Sequence, residues 1–268
     1  MDGPLLISMD TSRIPILSIY INTGTENSFL ERCREWLTVR DGAARQIVTV
    51  NPEFIMESRR NRRFAEVLNG ASLALADGFG ILCASVILFG RNLFTRITGV
   101  QATLLLCKLA EAHGKSVYLV GAREGVAART AEALKKRFPS LIIAGAEVGI
   151  PLSGTRTPTE YTDELVSRIN AASPDILFVA FGAPKQELWL AENLHRCPTI
   201  RIALGVGGTF DYLSGAVAYA PAWIRTVGLE WLYRLIREPR RLNRIISATV
   251  RFPCAILGDK VASVWRSS

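Results

Sequence analysis

Ile176-Leu-Phe-Val-Ala-Phe-Gly-Ala-Pro-Lys-Gln-Glu187 opens with six uninterrupted apolar residues and closes on a proline-led helix start. An unbroken apolar run of strand length reads as a strand buried on both faces, whereas a half-wet sheet gives alternation. Gly182 ends the strand, and Pro184 suits the first turn of a helix running to Asn193. A second apolar run, Arg201 to Gly205, follows. Strand, helix and strand at that spacing form a parallel crossover unit.

The same alternation extends through the chain in both directions. Further strand-length runs are Ile16 to Ile21, Ile47 to Val50, Leu73 to Ala76, Ser116 to Val120 and Leu141 to Ala144. Helical patterns cover Ser28 to Thr38, Glu124 to Phe138 and Pro158 to Ala172. They predict an α/β fold, a mainly parallel, doubly wound, Rossmann-like sheet with a C-terminal helical appendage. Composition shifts near Ala220, so residues 1–219 are read as the α/β domain carrying the site and residues 220–268 as the basic appendage. Pro151 to Pro158 reads as a loop beside the ligand crevice.

In such a sheet, ligands gather at the carboxyl ends of the strands, where strand order reverses. There the sequence places Thr49 and Asn51, Asp77 to Gly80, Gly121, Gly182 to Gln186 and Gly205 to Thr209. Asp77 follows Leu73-Ala-Leu-Ala76 and precedes Gly78-Phe-Gly80, a position that suits a general base whose pKa apolar neighbours raise. Asp77 equally suits the cap of a helix beginning near Ile81. Arg96-Ile-Thr-Gly99 precedes a helical run, so Arg96 and the helix entry behind Thr98 suit a diphosphate; a surface arginine and an ordinary Thr98 cap read equally well. Lys185 and Gln186 are aimed at the crevice for phosphate and sugar hydroxyls, and Gly207 and Gly208 let a nucleotide approach the backbone.

The segment from Ala220 to Arg244 joins an apolar stripe, Leu229, Leu232, Tyr233 and Ile236, to arginines including Arg225, Arg234, Arg237, Arg240, Arg241 and Arg244, with Trp223 and Trp231 beside them. That pattern suits an anionic membrane surface or a lipid substrate, although a solvated basic face of a packed helix shares it. A net charge of +8 favours anionic partners without choosing among them. A non-enzymatic nucleotide- or nucleic-acid-binding module using the tail as a basic arm is the rival reading. Against nucleic acid, the aromatics lie on an amphipathic helix and not across an exposed sheet.

Several chemistries find no support. There is no G-x-x-x-x-G-K-[ST], no G-x-S-x-G and no D-x-D, and His113 and His195 are the only histidines. Gly121-Ala-Arg-Glu-Gly125 is not a dinucleotide fingerprint. No metal and no cofactor are expected. His113 before Gly114 reads as a helix end. The five cysteines lack a C-x-x-C pair, which suits buried thiols in a reducing cytoplasm. Ile81 to Phe89 is far too short to span a bilayer, and the acidic N-terminus, with Asp2 and Asp10, is not expected to be a signal peptide.

Taken together, Thr49-Val-Asn-Pro-Glu53, Ala76-Asp-Gly-Phe-Gly80, Arg96-Ile-Thr-Gly99, Gly182-Ala-Pro-Lys-Gln-Glu187, Gly207-Gly-Thr-Phe-Asp211 and Leu229-Glu-Trp-Leu-Tyr-Arg234 resemble the WecG/TagA/CpsF glycosyltransferase family from about Ile16 to Arg244. The resemblance implies a metal-independent, inverting transfer of a sugar from a UDP donor to a polyprenyl-diphosphate-linked saccharide at the cytoplasmic face of the membrane. N-acetylmannosamine, its uronic acid and glucuronic acid are the implied donors. It also implies Asp77 as base, Arg96 on the diphosphate, Gln186 near the sugar, Thr49 and Asn51 in the pocket, and tail arginines closing over it. After Gly99 the chain has Val100-Gln101, where many relatives carry an acidic residue close by. Self-association is left open, through apolar faces freed if the appendage swings away.

Overall fold

The computed structural model describes residues 12–39, 42–149, 157–218, 220–221, 224, 232–233 and 242–267. The chain starts with a short antiparallel hairpin, β1 (Arg13–Ile16) and β2 (Ile19–Asn22), then α1 (Glu26–Thr38). Next come β3 (Arg45–Val50), α2 (Pro52–Ser58), α3 (Arg62–Gly70), β4 (Leu73–Ala76), α4 (Phe79–Phe89) and α5 (Gly99–Ala112). The second half runs β5 (Ser116–Gly121), α6 (Val126–Arg137), β6 (Ile142–Glu147), α7 (Pro158–Ala172), β7 (Ile176–Ala180), α8 (Lys185–Asn193), β8 (Ile202–Gly205) and α9 (Thr209–Leu213). The C-terminal helices are α10 (Leu242–Ile246), a π-helical segment (Ser247–Arg251) and α11 (Phe252–Ser267).

Six strands pair in the order β4-β3-β8-β7-β5-β6, every pair parallel. Side chains alternate across the strands, and both faces are covered. Ile47, Leu73, Leu75, Leu119, Phe178 and Leu204 pack against α1, α5, α6 and α9 on one side. Val48, Ala74, Val120, Leu177, Val179 and Ala203 face the other, under the hairpin and α2–α4 at one end and α7–α8 at the opposite end. The doubly wound architecture agrees with the sequence reading.

One stretch differs from it. Ile16 to Ile21 is not a single strand of the parallel sheet: the chain reverses at Leu17, whose φ is 55°, so that Ile14 pairs with Ile21. Folding back lets Ile16, Ile19 and Ile21 all bury in the cluster with Val48 and Phe64. It also brings Asn22 to the edge of β4, where its Oδ1 accepts from the Ala74 N–H at 2.8 Å. An edge strand is thereby blunted.

The described part of the C-terminal segment is built into the α/β body. Phe252 and Ile256 of α11 are buried in the same cluster as Ile81 of α4. Lys260 Nζ donates to the Leu88 carbonyl, satisfying an orphan at the end of α4. Trp223, Arg225, Leu229, Trp231, Arg234, Ile236, Arg237, Arg240 and Arg241 lie outside the described residues, as does most of Pro151 to Pro158. Cys33, Cys107 and Cys197 are buried as expected, but Cys83 and Cys254 are exposed.

Candidate active site

A cavity of about 520 Å3 opens at the carboxyl ends of β3, β4, β7 and β8. Its polar floor is set by local folding at each strand end. β3 ends in Thr49, 6 % exposed, and Asn51, whose Oδ1 accepts from the Phe54 N–H at 3.0 Å and caps α2 with Pro52 in the first turn. Asn51 thus lines the cavity with its carboxamide oxygen committed to the cap.

β4 delivers Asp77. Its backbone N–H still donates to the Val50 carbonyl, so the carboxylate leaves the sheet at a fixed point. Asp77 does not cap α4: Gly78 takes that position with φ 97°, and no side chain closes the helix start. Gly78 lines the cavity and has a backbone conformation that favours glycine. Asp77 Oδ2 instead accepts, at 3.4 Å, from the N–H of Gly99 in the first turn of α5. The segment before α5 runs beside β4, with the Ile97 N–H donating to the Ala76 carbonyl at 3.0 Å, and this brings Arg96 next to Asp77 on the cavity wall.

Thr98 caps α5 by accepting from the Gln101 N–H at 3.2 Å, and it lines the cavity as well. The first residues of α4 and α5 both border the cavity, so two positive dipole ends converge beside Arg96. A β-carbon on Gly99 would stand 3.3 Å from Thr209 Oγ1 and 3.8 Å from Thr49 Oγ1, which places two hydroxyls at the α5 entry. Val100 borders the cavity, while the Gln101 carboxamide donates to the Glu26 carboxylate of α1.

Gln186 ties the remaining strand ends together. Its Oε1 accepts from the Gly182 N–H at 3.1 Å and the Gly207 N–H at 2.9 Å, while Nε2 donates to Glu187 Oε1 at 2.7 Å. Two backbone donors on one atom fix which end of the carboxamide is oxygen. Gln186 is 2 % exposed and Glu187 1 %. Gln186 therefore braces the loops after β7 and β8 while lining the cavity, where the sequence reading puts it near the sugar. Burial pushes the Glu187 carboxyl up to about 7, against the opposing pull of its Gln186 hydrogen bond and the charge of Arg244, and its Oε2 has no hydrogen-bond partner.

Two expected residues are not brought to the cavity. Lys185 is exposed and does not line it, because the helical turn that buries Gln186 and Glu187 leaves its neighbour outside. Gly121 is absent from the lining too; at φ 118° its missing side chain allows contact with the Ala180 backbone, 2.6 Å from where a β-carbon would stand. Gly207 and Gly208 do line it, Gly207 at φ 52°. Arg225, Arg234 and Arg237 fall outside the described residues.

The sequence reading assigned no specific site role to Arg244, Thr209, Glu53 or Glu187. Arg244 reaches the cavity from α10 and pairs with Glu53 of α2 at 2.7 Å. In the sequence it was one arginine of many in a basic run, and nothing local distinguished it. Thr209 and Glu187 stood inside quoted motifs, where adjacency to a strand end was the available signal. Among the described residues, no three His, Cys, Asp or Glu side chains gather into a metal-binding group. No described helix is long and apolar enough to cross a membrane.

The geometry is thus an anion-friendly crevice at a topological switch point, with Asp77 beside Arg96 at the polar end and Glu53 paired with Arg244. Residues 14–265 match the model of the glycosyl transferase WecG/TagA/CpsF family. The chain is 36 % identical over 217 residues to an N-acetylglucosaminyldiphosphoundecaprenol N-acetyl-beta-D-mannosaminyltransferase of Bacillus spizizenii, covering 81 % of this chain and 80 % of that one. Proteins of the same name from Bacillus subtilis strain 168 and Staphylococcus aureus strain MRSA252 are 32 % and 29 % identical, over 85 % and 90 % of this chain and 84 % and 91 % of theirs. Matched along nearly its whole described length, the chain belongs to the WecG/TagA/CpsF family of glycosyltransferases.

Proposed function

We propose that the protein transfers an N-acetylmannosaminyl group from a UDP donor to N-acetylglucosamine carried on a polyprenyl diphosphate, with inversion and without a metal, while attached peripherally to the inner face of the cell membrane. The observation that carries this reading is the placement of Asp77 beside Arg96 at the mouth of two helix N-termini. An acceptor hydroxyl within reach of Asp77 gives up its proton as the oxygen attacks the anomeric carbon in line with the departing diphosphate. Negative charge growing on UDP is met by Arg96 and by the dipole ends of α4 and α5, the stabilisation a metal supplies elsewhere. Gln186 holds the Gly182 and Gly207 loops in place, and the sugar and acceptor in the relatives' names favour this pair as the first to test.

UDP release by the purified chain, measured over a panel of UDP-sugars with and without the lipid-linked acceptor, tests the proposal. Acceptor-dependent release with one donor is the expected result, and Asp77→Asn should lower kcat at least about a hundredfold while UDP still binds. Equal turnover in Asp77→Asn would remove Asp77 as the base. A folded protein that binds no UDP would sink the reading altogether.

A further inference from the structure

The cavity has two halves of different chemistry. Beyond the polar floor, its walls are α4 on one side, with Phe79, Ala84 and Ile87, and α10 to α11 on the other, with Ile245, Ala248 and Ile256. From Phe79 to Phe89, α4 carries no charged residue, and it is apolar on every face, a pattern that a solvent-exposed helix does not need. Phe79 is 48 % exposed and Ile87 37 %, and the apolar surface continues outward over Val86 and Phe89. On α11, Leu257 and Val261 are also more than half exposed, so that helix too presents apolar side chains to solvent.

From these observations, we propose that the groove between α4 and α10–α11 binds the first isoprene units of a polyprenyl diphosphate. The inference rests on the proposed transferase function: with UDP held by Arg96 and the helix ends, an acceptor sugar at Asp77 carries its own diphosphate toward Arg244 and the apolar half of the cavity. Arg244 stands at the junction of the two halves: it lines the cavity, pairs with Glu53 at 2.7 Å and belongs to the same helix as Ile245. Phe79 follows Asp77 by two residues, and from Phe79 to Ile87 the helix advances about 12 Å, room for a few isoprene units in line. Water held in this groove would be displaced from apolar walls, so each added unit strengthens binding until the chain passes the end of α4. A site built only for a nucleotide has no use for this wall.

Dimethylallyl, geranyl and farnesyl diphosphate, titrated by calorimetry into the purified full chain below their micellar concentrations, test the groove without donor or turnover. Affinity should rise roughly tenfold for each added isoprene unit. In Ile87→Asp the geranyl-to-farnesyl step should shrink to about twofold or less, and Phe79→Ser, at a more exposed position, gives a second reading if the first variant folds poorly. Affinity independent of chain length, no binding of any isoprenyl diphosphate, or a length dependence that both variants leave intact would overturn the groove. Length-dependent binding in a protein that releases no UDP from any donor would keep the groove and sink the transferase reading instead.

Discussion

Glu187→Gln separates the cost of a buried charge from the value of a buried brace. The Glu187 carboxyl rises from an ordinary 4.5 to about 7 because it is buried, 1 % exposed, with one oxygen lacking a hydrogen-bond partner. A folded pKa above the unfolded one means that the group favours the folded chain below the unfolded value, and this advantage is lost as pH rises through about 7. At about 1.4 kcal/mol per pKa unit the loss totals about 3 kcal/mol, most of it between pH 5 and pH 8. Glutamine removes the titration while its carbonyl still accepts from Gln186 Nε2. Its new NH2 group, in place of an oxygen without a partner, costs about 1–2 kcal/mol at every pH. Urea unfolding should therefore find Glu187→Gln less stable than wild type at pH 5 and equal or more stable at pH 8. The gap should change by roughly 2–3 kcal/mol, a shift in relative Tm of roughly 5–10 °C. An identical gap at both pH values would refute the reasoning, since it would mean that Glu187 carries no buried, titrating charge.

Gly121→Ala should lower Tm by on the order of 8 °C or prevent folding, since its β-carbon would stand 2.6 Å from Ala180 backbone atoms at a φ of 118°; thermal melts check it. Arg244→Ala should cost little stability, because its pair with Glu53 is partly exposed, yet lower kcat/KM for transfer by about tenfold or more through lost diphosphate stabilisation. Steady-state kinetics beside a denaturation curve distinguish the two effects. Turnover should be unchanged in excess EDTA; a loss that added divalent cation restores would contradict a metal-free mechanism.

The parallel sheet was legible because short apolar runs such as Leu73 to Ala76 and Ile176 to Phe181 stop at Asp77 and Gly182, the signature of strands buried on two faces. Ile16 to Ile21 misled for the same reason: all its isoleucines are buried, but by a hairpin whose turn at Leu17 and Ser18 uses neither glycine nor proline. Strand ends located Asp77, Thr49 and Gln186 at one cavity, since the carboxyl edge of a parallel sheet collects them whatever their chemistry, and a helix entry located Arg96. Roles within it were less legible. Lys185 and Gln186 are adjacent in sequence, and only helical phase, a matter of about 100° per residue, sends one into the protein and the other to solvent. Arg244 belongs to the cavity because α10 folds back onto α2, a tertiary contact that no local pattern announces.

The strand order has a temporal consequence. β3 lies near the start of the chain, yet its neighbour on the site side is β8, the last of the described strands, and Ile47 pairs with Leu204. At the usual pace of translation, roughly 5–20 residues per second, the growing chain carries β3 with that edge unpaired for many seconds. No crevice exists until β8 inserts between β3 and β7, so an interrupted or shortened chain has Asp77 and Gln186 but no shared pocket to put them in. A cell making this protein therefore holds either a complete enzyme or an inert, edge-exposed fragment that its chaperones and proteases must find.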